Sequence, residues 1–134
     1  MAKPLVGAYM ATRYPTLRPD MSLLDAVDLF VKNGVLGAPV VDADGRLVGY
    51  FSEVDLLRLM AVGVDHDVPA GPLADYMIRE VVTIAPDVDV YWAAGVMLAQ
   101  DISYLPVLQN GALIGVINRR AILRALKEHF GEQP

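Results

Sequence analysis

An internal repeat constrains this chain more than any other feature. Met10 recurs as Met77, Thr16 as Thr83, Pro19 as Pro86, Ala26 as Ala93 and Pro39-Val40 as Pro106-Val107, each pair 67 positions apart (77 − 10). Gly45 then answers to Gly111 and Gly49 to Gly115 at a spacing of 66 (115 − 49), so one residue is lost before the second hairpin turn. Two copies at so long a period do not make a solenoid. Two similar halves closing face to face about a pseudo-twofold axis are the economical solution. A chain of 134 residues suits one compact module of that kind.

Each half reads as β-α-β-β-α. Short strands are expected at Tyr14–Arg18 and Val81–Ala85, with proline just beyond each. Ser22 and Asp89 are N-cap candidates. In the first helix Leu23, Val27, Phe30 and Val31 form an apolar stripe that stops at Gly34, while its counterpart, Val90 to Leu98, is apolar nearly all round. Buried strands follow at Ala38–Asp42 and Leu105–Gln109. Asp44-Gly45 and Asn110-Gly111 signal type I′ hairpin turns, which need positive φ at both central residues. The strands return over Arg46–Phe51 and Ala112–Ile117. Final helices are expected over Glu53–Val62, stopped by Gly63, and Arg119–Phe130, stopped by Gly131. A short helix over Leu73–Ile78 leads into the second half. The expected organisation is a first repeat over residues 5–63, a connector over 64–72 and a second repeat over 73–130. The fold class is α+β, an α/β sandwich of two repeats.

The stretch from Gly49 to Asp55 joins a strand to a helix. Ser52 and Asp55 have capping-box spacing, in which the hydroxyl accepts from a backbone N–H one turn in and the carboxylate reaches back. The same geometry gathers a hydroxyl, a carboxylate and free N–H groups at one helix end. Such a place suits an anion, and its carboxylate can grip a sugar diol. A capped helix and nothing more is the plainer reading of the spacing alone.

Composition excludes several classes. With no cysteine, disulfides and thiolate metal sites are impossible. A formal net charge of −5 with no basic run argues against nucleic acid as a partner. No apolar run approaches the roughly 18–20 residues that cross a bilayer, and Met1-Ala2-Lys3-Pro4 lacks the apolar core of a signal peptide. A cytoplasmic protein without membrane insertion is expected. The hydrophobic fraction of 54% hints at apolar surface buried between subunits.

Two copies of strand, helix, Pro-Val strand, Asp/Asn-Gly hairpin and a Gly-φ-φ-Ser/Thr-x-x-Asp helix start, from which the second copy departs, resemble a pair of cystathionine-β-synthase-type (CBS) domains, a Bateman module. The resemblance covers residues 5 to 128 or so. It implies two three-stranded sheets packed against each other with helices outside, and two related clefts between the halves. It also implies a regulatory module whose ligand is AMP, ADP, ATP or S-adenosylmethionine, with no obligatory cofactor, and which dimerises and tunes a partner protein.

In one cleft the resemblance implies Asp55 on the ribose hydroxyls and Ser52 toward the phosphate, with Thr83, Ile84, Ile102, Ser103, Tyr104 and Pro106 around the adenine. Ile102 and Pro106 would sandwich the base, and backbone groups would read its edge. A purine needs flat apolar surface with a few placed polar groups, and a diol needs an ionised acceptor. The second cleft would use Thr16, Gly37, Ala38 and Pro39 on the base side and Asn118 at the helix start. There Ala121 stands in the place of the diol-binding carboxylate. Arg119 and Arg120 occupy the first helical turn, where the dipole disfavours cations by about 0.3–1 kcal/mol each. They are candidates for a phosphate, or else solvated surface arginines.

Asp25, Asp28 and Lys32 of the first repeat become Trp92, Gly95 and Ala99 in the second, one face of a helix. The expectation is that Trp92, Gly95, Val96 and Ala99 are buried in a homodimer interface, the alternative being packing on the connector. Asp65-His66-Asp67 reads as a solvated loop rather than a metal site, and His129 suits a helix C-terminus. No catalytic constellation is legible. The leading function is an adenosine-compound sensor acting on a separate effector. The alternative is a structural dimerisation or docking module with empty clefts.

Overall fold

In the computed structural model, which describes residues 2–62 and 69–131, the repeated sequence becomes repeated structure. Helix α1 is Val6–Tyr9, α2 Leu23–Asn33, α3 Glu53–Val62, α4 Val90–Gln100 and α5 Arg119–Gly131; the strands are β1 Gly37–Val41, β2 Leu47–Ser52, β3 Tyr104–Gln109 and β4 Ala112–Asn118. The fold is α+β with two repeats. Gly63 and Asp65-His66-Asp67 lie outside the described residues, as does the connector from Val64 through Val68. The expected helix at Leu73–Ile78 is a single 3-10 turn, Leu73–Asp75.

Local chemistry sets most boundaries. Ser22 closes a full capping box with Asp25, and Gly34 ends α2 in the left-handed region at φ 63°. The Asp89 side chain accepts from the Trp92 N–H at 2.8 Å and opens α4. Val31, placed on the buried stripe of α2 by its spacing, is 76% exposed; the core side of the helix is Leu23, Ala26 and Phe30. Helix α5 runs one residue past its expected end, through Gly131.

The two hairpins differ by the one residue that separates the two repeat spacings. Asn110 and Gly111 both have positive φ (52° and 81°), as a two-residue type I′ turn requires. In the first hairpin only Gly45 does (φ 80°), which corrects the expectation for Asp44-Gly45. The Asp42 N–H donates to the Arg46 carbonyl, leaving a three-residue loop in which the Gly45 N–H donates back to the Asp42 carbonyl. The Asp42 carboxylate accepts from the N–H groups of Asp44 and Arg46, both at 2.9 Å. An extra residue favours a type I turn followed by one left-handed glycine.

Strands β1 and β2 pair antiparallel, as do β3 and β4, each with a register shift near the turn. The expected strands at Tyr14–Arg18 and Val81–Ala85 shrink to single parallel bridges, Leu17 to Val40 and Ile84 to Val107. Each sheet is therefore two-stranded, not three-stranded. Pro15 and Pro19 flank one bridge and Pro86 follows the other, and a residue without an N–H cannot extend a ladder.

Two compact units result. An inner unit spans Pro15–Val81, and an outer unit joins Met1–Tyr14 to Val82–Pro134. The inner core holds Leu17, Leu23, Ala26, Phe30, Ala38, Val40, Phe51, Leu73 and Met77, with the rings of Phe30 and Phe51 stacked at 6.3 Å. The outer core holds the repeat equivalents Ile84, Val90, Ala93, Met97, Leu105, Val107 and Ile117, together with Val6. Val6 and Leu73 are themselves equivalents, so each core takes the leading segment of the other repeat. Glycine explains how that segment docks. A Cβ on Gly49 would meet the Met77 sulfur at 2.6 Å and the Ile78 carbonyl oxygen at 2.9 Å. Gly115 stands in the same relation to Met10 and the Ala11 carbonyl. Paired backbone bonds hold each contact, Tyr50 with Ile78 and Ala11 with Val116.

Candidate functional site

In the inner unit, β2 ends at Ser52, which pairs with Gly37 at the start of β1. The Glu53 N–H donates to the Leu36 carbonyl at 2.8 Å, tying the first residue of α3 to the approach to β1. The Ser52 N–H and the Ser52 hydroxyl both donate to Oδ2 of Asp55, at 2.9 and 3.0 Å. The carboxylate reaches back as its spacing requires. The hydroxyl does not accept from the helix, however; it is drawn to the stronger, ionised acceptor. Both bonds converge on one carboxylate oxygen, so Oδ1 retains its accepting capacity at a half-buried helix end. Glu53 and Asp55 also give the first turn of α3 two acids, the favourable sign for the dipole.

The same unit holds Thr16, Gly37, Ala38 and Pro39. The Leu17 N–H donates to the Pro39 carbonyl, which brings the segment carrying Thr16 alongside β1. Space there is tight: a Cβ on Gly37 would lie 3.0 Å from the Tyr50 hydroxyl and 3.2 Å from the Ser52 Cβ.

The outer unit gathers the residues assigned to the base. The Ile84 N–H donates to the Pro106 carbonyl at 3.0 Å, placing Thr83 and Ile84 beside β3. Asp101 ends α4 in the left-handed region, and the Ile102 N–H donates to the Met97 carbonyl, so the chain turns sharply into Ser103 and Tyr104. Tyr104 pairs with Asn118 across the sheet. Asn118 caps α5 with its side-chain oxygen, accepting from the Ala121 N–H at 2.8 Å. Ala121, where α3 has its carboxylate, is buried in the outer core beside Ile122 and Ala125. Arg119 and Arg120 are both exposed, and Arg119 donates from Nη2 to the Ile102 carbonyl at 3.1 Å.

On the Trp92 face of α4, Trp92 is 66% exposed and Gly95 and Ala99 are exposed, with Leu98 77% exposed nearby, while Val96 is half-buried against the outer core. His129 lies in the last turn of α5, edge-on to the Tyr91 ring. Among the described residues, no cluster of three histidine, aspartate or glutamate side chains could hold a metal, and no helix is long and apolar enough to cross a membrane.

Sequence reasoning missed two features. The Met10 and Met77 clamps were visible only as repeat landmarks, and their glycine partners gave the one usable signal. The bond from Arg119 to the Ile102 carbonyl had no signal, because nothing local links positions 17 apart at the two ends of a β-hairpin.

Comparison with known proteins matches the family model "CBS domain" twice, over residues 6–62 and 73–128. An uncharacterized protein of Methanocaldococcus jannaschii is 30% identical over 80% of this chain and 82% of its own. The A-adding tRNA nucleotidyltransferase of Aquifex aeolicus is 28% identical over 94% of this chain, which spans only 16% of that enzyme's length. The crystal structure of CBSX2 in complex with AMP superposes with a TM-score of 0.83 at 29% identity, covering 95% of this chain and 98% of that one.

Proposed function

Because the chain belongs to the CBS-domain family, as a tandem pair of such domains, we propose that it is a regulatory module that binds an adenosine compound and modulates a partner protein. Asp55 accepts from the ribose hydroxyls through Oδ1, and Ser52 faces the phosphate. Thr83, Ile84, Ile102, Ser103, Tyr104 and Pro106 take the base. The observation that carries this reading is the arrangement at Ser52 and Asp55, where two donors fix one carboxylate oxygen and leave the other available. A carboxylate held by its own backbone is pre-oriented, so little rotamer entropy is lost on binding. AMP leads the candidates because it is the ligand named for a 29%-identical neighbour; ADP, ATP and S-adenosylmethionine share the diol and the base. Asn118, Arg119 and Arg120, with Thr16, Gly37, Ala38 and Pro39, form a lesser subsite without a diol acceptor. The whole acts as a homodimer through the exposed Trp92 face of α4.

Calorimetry and thermal melts with AMP, ADP, ATP and S-adenosylmethionine test this. Ligand at a hundredfold above its Kd stabilises the protein by about 2.7 kcal/mol. The informative variant is Asp55→Asn, which keeps an oxygen for the Ser52 donors and removes the charge the diol needs. The expected result is a ligand-free melt lowered by less than a cap's worth, under about 1 kcal/mol, and loss of the ligand shift. A full ligand shift in that variant reduces the motif to a helix cap. Failure of all four ligands with the wild-type protein, alongside a stable dimer in sedimentation, favours the docking-module reading, which the exposed Trp92 and Leu98 support.

A further inference from the structure

Arg119 sits in the wrong place for a cation by the helix dipole, and its guanidinium is anchored all the same. Its partner is the Ile102 carbonyl, at 3.1 Å. The Ile102 N–H is already committed to Met97, so the carbonyl is the remaining backbone group of that residue for reading a base edge. The equivalent positions in the inner unit are Glu53 and Val35. An ionised glutamate has no hydrogen to donate to a carbonyl, so the contact is particular to the outer unit. The helix does not depend on Arg119, because Asn118 caps it independently.

We propose that Arg119 is a specificity-determining residue: it masks the Ile102 carbonyl against the exocyclic amine of a purine, and the mask lifts most readily for a ligand that brings a phosphate. This rests on the reading of Ile102 as part of the base site. A neutral nucleoside must either displace the guanidinium and return it to water or use the carbonyl's second lone pair beside a cation that repels the amine's own hydrogens. A 5′-phosphorylated nucleoside displaces it too, but offers the freed cation a charge-assisted, bidentate acceptor on a side chain long enough to swing. The outer unit thereby discriminates nucleotide from nucleoside with a residue that a repeat-by-repeat comparison marks only as a charge reversal.

The test compares adenosine with AMP by calorimetry on the wild-type protein, Arg119→Ala and Arg119→Lys. Removing the mask tightens adenosine, and removing the cation weakens AMP, so in Arg119→Ala the preference for AMP over adenosine falls by roughly tenfold. Arg119→Lys keeps the charge without the planar fork and falls between. The ligand-free melts of all three proteins agree. An unchanged AMP-to-adenosine preference in Arg119→Ala, with AMP still bound, overturns this proposal and leaves the proposed function standing. Absence of binding by either compound to the wild-type protein overturns both.

Discussion

The two long helices that follow the hairpins begin alike and end up serving different ends. Helix α3 starts from Ser52 with Asp55 three residues on; α5 starts from Asn118 with Ala121 three residues on. In α3 the third position carries a half-buried carboxylate held by Ser52. In α5 the cap is made by Asn118 alone, and the third position is a buried methyl packed with Ile122 and Ala125. The outer core gained an apolar contact where the inner unit kept a polar group at the helix end. One position cannot do both, because a carboxylate pressed into an apolar core without partners is strongly disfavoured. On the proposed function, the difference between the repeats is a division of labour between packing and recognition.

Four substitutions test that contrast. The largest effect is expected from Ala121→Asp, which copies the inner motif onto α5. Its carboxylate enters the outer core, and denaturant unfolding should show a loss of about 3 kcal/mol. A loss near zero would mean that α5 can lift its third position clear of the core, and the division of labour would fail.

Next come Gly49→Ala and Gly115→Ala, which probe what the two units share. The methionine sulfur at each site can move aside, but the Ile78 or Ala11 carbonyl behind it is held by paired backbone bonds. Each variant should lose about 2 kcal/mol by thermal or chemical unfolding, and the two losses should match. A large difference between them would show that the docking of the exchanged segments is not equivalent.

The smallest effect is expected from Asn118→Ala, which removes the sole side-chain cap of α5 and should cost about 1 kcal/mol in the melt. Comparison with the ligand-free melt of Asp55→Asn, which keeps its acceptor and loses less than about 1 kcal/mol, separates capping from recognition at the two helix starts.

Much of the fold was legible because its signals are short-range. Gly34 and Asn110-Gly111 adopt the left-handed conformations that their residue types favour, and Ser22 and Asp89 cap where hydroxyl and carboxylate caps belong. The same locality explains the errors. The type I′ expectation at Asp44-Gly45 weighed the dipeptide and not the loop length, which one additional residue changed. The expected strands at Tyr14–Arg18 and Val81–Ala85 weighed β-propensity over the missing N–H groups of nearby prolines. At the candidate site, spacing revealed that Ser52 and Asp55 interact, but not that the hydroxyl donates rather than accepts. That choice belongs to the carboxylate's strength as an acceptor.

The amino-acid order alone determined that there are two repeats, where most of their turns and caps fall, and that of the two helices after the hairpins only α3 carries a carboxylate three residues past its first cap position. Tertiary structure decided which leading segment fills which core. Met10 and Met77 are equivalent in the local code, as are Gly49 and Gly115, so no neighbouring residue distinguishes one pairing from the other. The chain settles it by carrying Val6 and Met10 to the outer unit and Leu73 and Met77 to the inner one. That is a long-range packing choice, made where a missing Cβ leaves room for a sulfur and paired backbone bonds hold it there.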